Sequence, residues 1–171
     1  LIDAPCRRED IKSAFLFSCY CGLRISDVLA LKWKNVDCTG EQWHINIIMQ
    51  KTQQPLYLPL SMQARKWMPE RDGSGEEEAV FSTLPCEDTC NVQIKQWVKE
   101  AGITKHVTYH VSRHTFATML LTLGADLYTV SKLLGHSQIK NTQVYAEIIN
   151  RRKVEAVNLA DNVFDTDDNL L

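Results

Sequence analysis

The chain has 171 residues, 44% of them hydrophobic and 23% charged, with a formal net charge of −2. That length supports one compact domain with its own core, and the composition is that of an ordinary globular protein, which excludes a disordered or fibrous chain. No apolar run is long enough to span a bilayer, no signal-peptide pattern opens the chain, and six scattered cysteines read as reduced, cytoplasmic thiols rather than a disulfide framework.

The charge is unevenly placed. Six acids and no base lie between Asp72 and Asp88, and five more acids without a base follow from Glu155. Setting these aside leaves 19 basic residues against ten acids, a body basic enough to face phosphates. The acidic loop and the acidic tail over 155–171 are therefore expected to face away from such a partner. The abrupt opening, LIDAPCRRED, reads as the start of a piece cut from a longer protein.

From Arg7 to Cys19 the apolar positions Ile11, Ala14, Phe15 and Cys19 predict an amphipathic helix, broken at Cys21-Gly22. A short helix follows in GLRISDVLAL, with Ser26 as its cap and Val28, Leu29 and Leu31 inward. Arg24 sits in the turn before it, where a planar guanidinium can face an oxyanion. WHINIIM (43–49) and LYLPL (56–60) flank the polar turn QKTQQP and predict an antiparallel hairpin, with a preceding strand at Lys34–Asp37. Ser61 to Trp67 predicts a short helix, Arg71 to Glu78 a flexible acidic loop, and Val80-Phe81 a short extended piece. Cys90 to Ala101 predicts another amphipathic helix, with Val92, Ile94, Trp97 and Val98 apolar, closed by Gly102.

The last third is denser in chemistry. A helix starting near His110 carries Phe116, Met119, Leu120 and Leu123 as an apolar stripe and stops at Gly124. His110 and Arg113, three apart, share one face of it. A second helix starts near Asp126, turns Leu127, Val130, Leu133 and Leu134 inward, and ends at Gly135, leaving His136 on a turn. Asn141 or Thr142 caps a third helix with Tyr145 in or near its first turn. Ala146 to Ala160 continues as an amphipathic helix. The fold class is α+β, mainly helical: a helix bundle with a small antiparallel sheet. Cys86, Cys90, His106 and His110 have the loose spacing of a zinc finger, but a full amphipathic helix fills the interval, so no metal and no cofactor is expected.

A phenol, two imidazoles and guanidinium groups suit attack of a tyrosine hydroxyl on a phosphodiester held by cations. The set His110-x-x-Arg113-His114-Thr115-Phe116-Ala117, then Leu134-Gly135-His136-Ser137, then Tyr145, together with GLRISDVLAL, resembles the tyrosine recombinase (phage-type integrase) family. The resemblance implies the tyrosine recombinase catalytic-domain fold over 1–171 as a single catalytic domain; the family's recombinases normally carry a separate N-terminal DNA-clamping domain, and the chain is read as a fragment lacking it. It implies site-specific DNA strand cleavage and rejoining through a 3′-phosphotyrosyl link, in an integrase of a bacterial mobile element or phage. In these roles Arg24, Arg113 and His136 hold the scissile phosphate and Tyr145 attacks it. His110 takes the tyrosine's proton, Lys51 at the hairpin tip protonates the leaving oxygen, and Asp27 supports them from behind. Double-stranded DNA is the implied partner, with tetrameric assembly in synapsis and the segments after Tyr145 docking on a neighbouring copy. The alternatives are a type IB topoisomerase and a catalytically idle DNA-binding module.

Overall fold

The computed structural model describes residues 1–145 together with Asn150, Lys153, Val154, Val157 and Asn158, each of these five helical. The rest of the expected helix over 146–160 and the acidic tail beyond Asn158 lie outside the described residues.

Helix α1 (Glu9–Cys21) is the spine of the fold. Its sequence looks amphipathic, but Ile11, Ala14, Phe15, Leu16, Phe17, Ser18, Cys19 and Cys21 are all buried. After the first turn the helix is enclosed almost all round, because α3 (Met62–Lys66), α4 (Glu87–Glu100) and α5 (His110–Thr122) all pack on it. Phe15 meets Trp97 of α4 and Tyr109 edge-to-face, with ring centroids 6.0 and 5.9 Å apart, arrangements that add to area burial. The Tyr109 hydroxyl, fully enclosed, donates to the Ala14 carbonyl at 2.7 Å and lies 2.9 Å from Ser18 Oγ. A buried phenol needs such partners, and here they tie the start of α5 to α1.

Helix α2 (Ile25–Leu29) follows Gly22. It starts two residues earlier than expected, with Arg24 rather than Ser26 at the cap position and no side-chain capping bond. A short 3-10 turn over Trp33–Asn35 leads into strand β1 (Val36–Asp37), then β2 (His44–Ile48) and β3 (Pro55–Pro59). The sheet has the order β1-β2-β3, both pairs antiparallel, with Ile45 opposite Leu58 and Ile48 opposite Pro55. Alternation is visible in β3, where Leu56 and Leu58 are buried and Tyr57 is exposed. Ser61 caps α3 by accepting from the Ala64 amide at 3.1 Å.

Two stripe residues do not turn inward. Val92 of α4 is 63% exposed and Leu123, at the end of α5, is 76% exposed. Periodicity marks an apolar position, but burial also needs a neighbouring element, and Leu121 and Cys90 take the inner places instead. The acidic loop is not loose either. The Trp33 amide donates to the Glu78 carbonyl and the Lys34 amide to the Glu76 carbonyl, while Glu77 accepts from both Lys32 and Lys34 side chains.

Helix α6 (Leu127–Leu133) is capped by Asp126, which accepts from the Thr129 amide. Tyr145 ends a 3-10 segment, Ile139–Tyr145, instead of standing in the first turn of an α-helix. The core falls into two clusters. One gathers α1, α2, the sheet, α3 and α4; the smaller one holds Phe116, Ala117, Leu121, Val130, Leu134 and Tyr145. They meet at Gly22, whose φ of 76° closes α1 and whose Cα lies directly under the Phe116 ring. A Cβ there would meet both the left-handed penalty and the ring. Gly22→Ala is therefore expected to lower stability by about 2 kcal/mol or more, read as a lower urea midpoint at unchanged m-value.

Candidate functional site

Arg24, Lys51, His110 and Arg113 come from three separate segments and line one cavity of about 180 Å³, with Leu23, Ile25, Ser26, Glu87 and Tyr109 completing its wall. That is room for about six waters, or a phosphate with its ester oxygens. Each cation arrives by its own device. Arg24 is set by the turn between Gly22 and α2. Lys51 is carried by the β2–β3 turn, closed by the Gln53 amide donating to the Met49 carbonyl at 2.9 Å. His110 opens α5 and Arg113 lies one turn on.

Arg113 is only 3% exposed. Its guanidinium donates to the Gly22 carbonyl at 2.6 Å and to the Leu134 carbonyl at 2.5 Å. These are the closing carbonyls of α1 and α6, where helix dipoles favour a cation. Among the described residues no carboxylate forms an ion pair with it. Burial, then the charge of Arg24, pushes its pKa down to about 10, so it stays charged at neutral pH.

Asp27 is buried, with Oδ1 accepting from the Gln50 amide at 2.7 Å and Oδ2 3.9 Å from Arg24 Nη1. Oδ2 has no hydrogen-bond partner among the described residues. One carboxylate thus restrains both the arginine turn and the hairpin carrying Lys51. Glu87 is a departure from the expected charge layout. It belongs to the acid-rich stretch expected to face away, yet its place as the first residue of α4 puts it in the cavity wall.

His136 and Tyr145 stand beside this cavity on the smaller cluster. His136 Nδ1 lies 2.8 Å from Thr142 Oγ1, so Thr142 serves the imidazole and does not cap a helix. Burial, then Arg113 and Arg24, pushes the His136 pKa down to about 4. His110 is also lowered, by burial and then by His114, Arg113, Arg24 and Lys51. Both imidazoles are therefore neutral at pH 7. The Tyr145 phenol is raised by burial, against which Arg113 pulls it down, so it too is neutral.

The tyrosine's partner is His114, a residue the sequence analysis quoted without a role. His114 Nδ1 is 2.8 Å from Tyr145 Oη. The His114 ring also stands edge-on to His110, centroids 4.7 Å apart. Its spacing was the available signal: four residues after His110, it lies on the same helix face. The four residues with zinc-like spacing do not converge. Cys90 Sγ contacts the Pro85 carbonyl, Cys86 Sγ contacts Thr89, and His106 lines a different cavity from His110. Among the described residues no group of three or more His, Cys, Asp or Glu is placed to hold a metal ion, and no helix is long and apolar enough to cross a membrane.

Two expectations follow. Asp27→Ala removes a charged acceptor from the Gln50 amide, worth about 1.5–3 kcal/mol, so that amide should exchange with solvent about 10–100-fold faster with the core amides unchanged. For His136 the unfolded chain binds a proton below pH 6.5 while the folded one does so only below about 4. Stability should then fall as pH drops from 6.5 towards 4, and His136→Asn should flatten that slope in urea titrations.

Residues 1–152 match the model of the phage integrase family. The chain is 32% identical over 145 residues to the tyrosine recombinase XerD of Lacticaseibacillus casei, covering 78% of this chain and 48% of that protein. It is 33% identical over 137 residues to the tyrosine recombinase XerC of Serratia marcescens, covering 74% and 44%. The chain thus spans about half the length of the curated relatives it matches. Among solved structures, the XerH site-specific recombinase bound to palindromic difH substrate, a post-cleavage complex, aligns with a TM-score of 0.67 at 18% identity, over 90% of this chain and 46% of that one. The catalytic domain of bacteriophage HP1 integrase aligns with a TM-score of 0.60 at 18% identity, over 85% and 78%. At these identities the likeness is one of fold.

Proposed function

The chain belongs to the phage integrase family, and on that premise we propose that it is the catalytic unit of a site-specific DNA recombinase, cutting and rejoining strands through a 3′-phosphotyrosyl intermediate. The observation that carries the proposal is the single cavity lined by Arg24, Lys51, His110 and Arg113, with Tyr145 beside it on the adjoining cluster.

In this reading the scissile phosphate enters the cavity. Arg113, fixed by two backbone carbonyls, and Arg24 donate to its non-bridging oxygens, where negative charge grows in the transition state. Neutral His110 and His136 add hydrogen bonds without adding charge. The Tyr145 oxygen bonds to phosphorus, the bond from phosphorus to the 5′-oxygen breaks, and Lys51 gives that oxygen its proton. The phosphotyrosyl ester keeps the energy of the bond it replaced, so rejoining is the same step in reverse with a 5′-hydroxyl as nucleophile. Exchange between two duplexes breaks four strands with one tyrosine each, which is the reason for proposing a tetramer on DNA. The two relatives named as Xer recombinases and the XerH complex with its difH substrate favour duplex DNA as the partner.

The test is a randomised pool of nicked duplex DNA, in which cleavage releases a short fragment and traps the covalent protein–DNA product. The wild-type chain is expected to form an adduct that survives denaturing gels, and sequencing the trapped DNA should return a preferred site. Tyr145→Phe should abolish the adduct and leave salt-sensitive DNA binding intact. Lys51→Met should slow adduct formation by about 10²–10⁴-fold, the usual reach of a general acid. Adducts with no sequence preference would favour a topoisomerase, and no adduct from the wild-type chain would leave only a binding module.

A further inference from the structure

We propose that His114 is a further catalytic residue, the base that accepts the Tyr145 proton as the tyrosine attacks the phosphate. The inference rests on the recombinase reading above and moves the base from His110 to the next imidazole along the helix.

Three observations carry it. His114 Nδ1 already stands 2.8 Å from the Tyr145 hydroxyl, hydrogen-bond distance for the proton in question. His110 is placed elsewhere: it lines the cavity with Arg24, Lys51 and Arg113, the space that the recombinase reading gives to the phosphate. And the His114 ring bridges the two, edge-on to His110 at 4.7 Å between centroids and at 5.7 Å from the Tyr145 ring. Both rings hang from one face of α5, one turn apart, on a helix whose Arg113 is anchored at two carbonyls. The base is therefore held by the same element that holds the phosphate.

The need for a base is independent of this geometry. Burial keeps the Tyr145 phenol protonated at neutral pH, with Arg113 only partly opposing it. In the step itself the hydroxyl donates to Nδ1. As the oxygen–phosphorus bond forms, the proton passes to His114, giving an imidazolium. The bond from phosphorus to the 5′-oxygen breaks and that oxygen takes its proton from the Lys51 ammonium. One proton moves within the protein from Tyr145 to His114 and one passes from Lys51 to the 5′-oxygen of the DNA, nothing is oxidised or reduced, and the charge of the site is unchanged across the step. On rejoining, His114 returns its proton to the departing tyrosyl oxygen.

The test uses the whole chain and the preferred nicked sequences recovered from the randomised pool, with single-turnover adduct formation as the readout. His114→Asn places an amide oxygen near the position of Nδ1, preserving a hydrogen bond without basicity. It is expected to bind DNA as the wild type does and to form adduct about 10²-fold slower or worse, within the range of general base catalysis. Replacing Tyr145 by a fluorinated tyrosine of lower phenol pKa should then recover much of the deficit, since a more acidic phenol needs less help from a base. A merely structural role for His114 would not respond to the acidity of the phenol. In the DNA-free protein, Tyr145→Phe should shift the ring nitrogen resonances of His114 and leave those of His106 in place. The proposal is overturned if His114→Asn cleaves at the wild-type rate, if its deficit is indifferent to fluorination, or if Tyr145→Phe leaves the His114 signals unmoved. A wild-type chain that forms no adduct overturns the recombinase reading and this proposal with it, whereas an active wild type with an unaffected His114→Asn overturns this proposal alone.

Discussion

The site depends on one buried guanidinium. Arg113 is enclosed by the fold, holds the closing carbonyls of α1 and α6, and meets no carboxylate in an ion pair among the described residues. Desolvating a charge is costly unless fixed dipoles replace the lost water. Two helix C-termini supply such dipoles, but they stabilise a cation only in part, and Arg24 works against them. The result is a positive charge that is held rigidly and incompletely compensated. An anion entering the cavity completes its environment, and the positions of α1, α5 and α6 are fixed by the same contacts that prepare it.

The second organising fact is that the chemistry straddles the seam between two apolar clusters. Arg24, Asp27 and Lys51 belong to the larger cluster, around α2 and the hairpin, while His136 and Tyr145 ride on the smaller one with α6. Helix α5 spans both. It carries His110 and Arg113 towards the cavity and His114 towards the tyrosine. Close contact at two glycines keeps the clusters in register: Gly22 beneath Phe116, and Gly135 beneath Met49, whose sulfur in turn lies 3.6 Å from Arg24 Nη1. Arg24, which lines the cavity, is thus packed through Met49 against the turn that carries His136.

Local electrostatics, and not the total charge, suit this cavity to an anion. The chain is slightly acidic as a whole, and its acids lie close to its bases: Glu77 neutralises Lys32 and Lys34 at the surface. One carboxylate in the cavity wall, Glu87, and one behind Arg24, Asp27, are set against three permanent cations, Arg24, Lys51 and Arg113. Asp27 is used to hold backbone, and Glu87 sits in the wall at the start of α4. The imidazoles, kept neutral by burial and by the arginines, donate or accept protons without adding to the repulsion among the cations.

Much of this was legible in the residues themselves. The hairpin was written in two β-rich runs around a polar turn, and α4, α5 and α6 in apolar spacing closed by Gly102, Gly124 and Gly135. The family resemblance pointed to Arg24, Lys51, His110, Arg113, His136 and Tyr145. The sequence by itself determined which residue types are present and which local elements they form, because capping, turn chemistry and periodicity act over a few residues. Only the tertiary structure decided who touches whom: Asp27 on the Gln50 amide, Thr142 on His136, Glu87 in the cavity wall, and Tyr145 on His114 in place of His110. It also left Val92 and Leu123 in solvent and enclosed α1 on nearly every side. Those outcomes turn on contacts between segments up to about a hundred residues apart in the chain, as between Gly22 and Phe116. No local propensity encodes such a contact; it exists only once the packing of the helices has brought the two surfaces together.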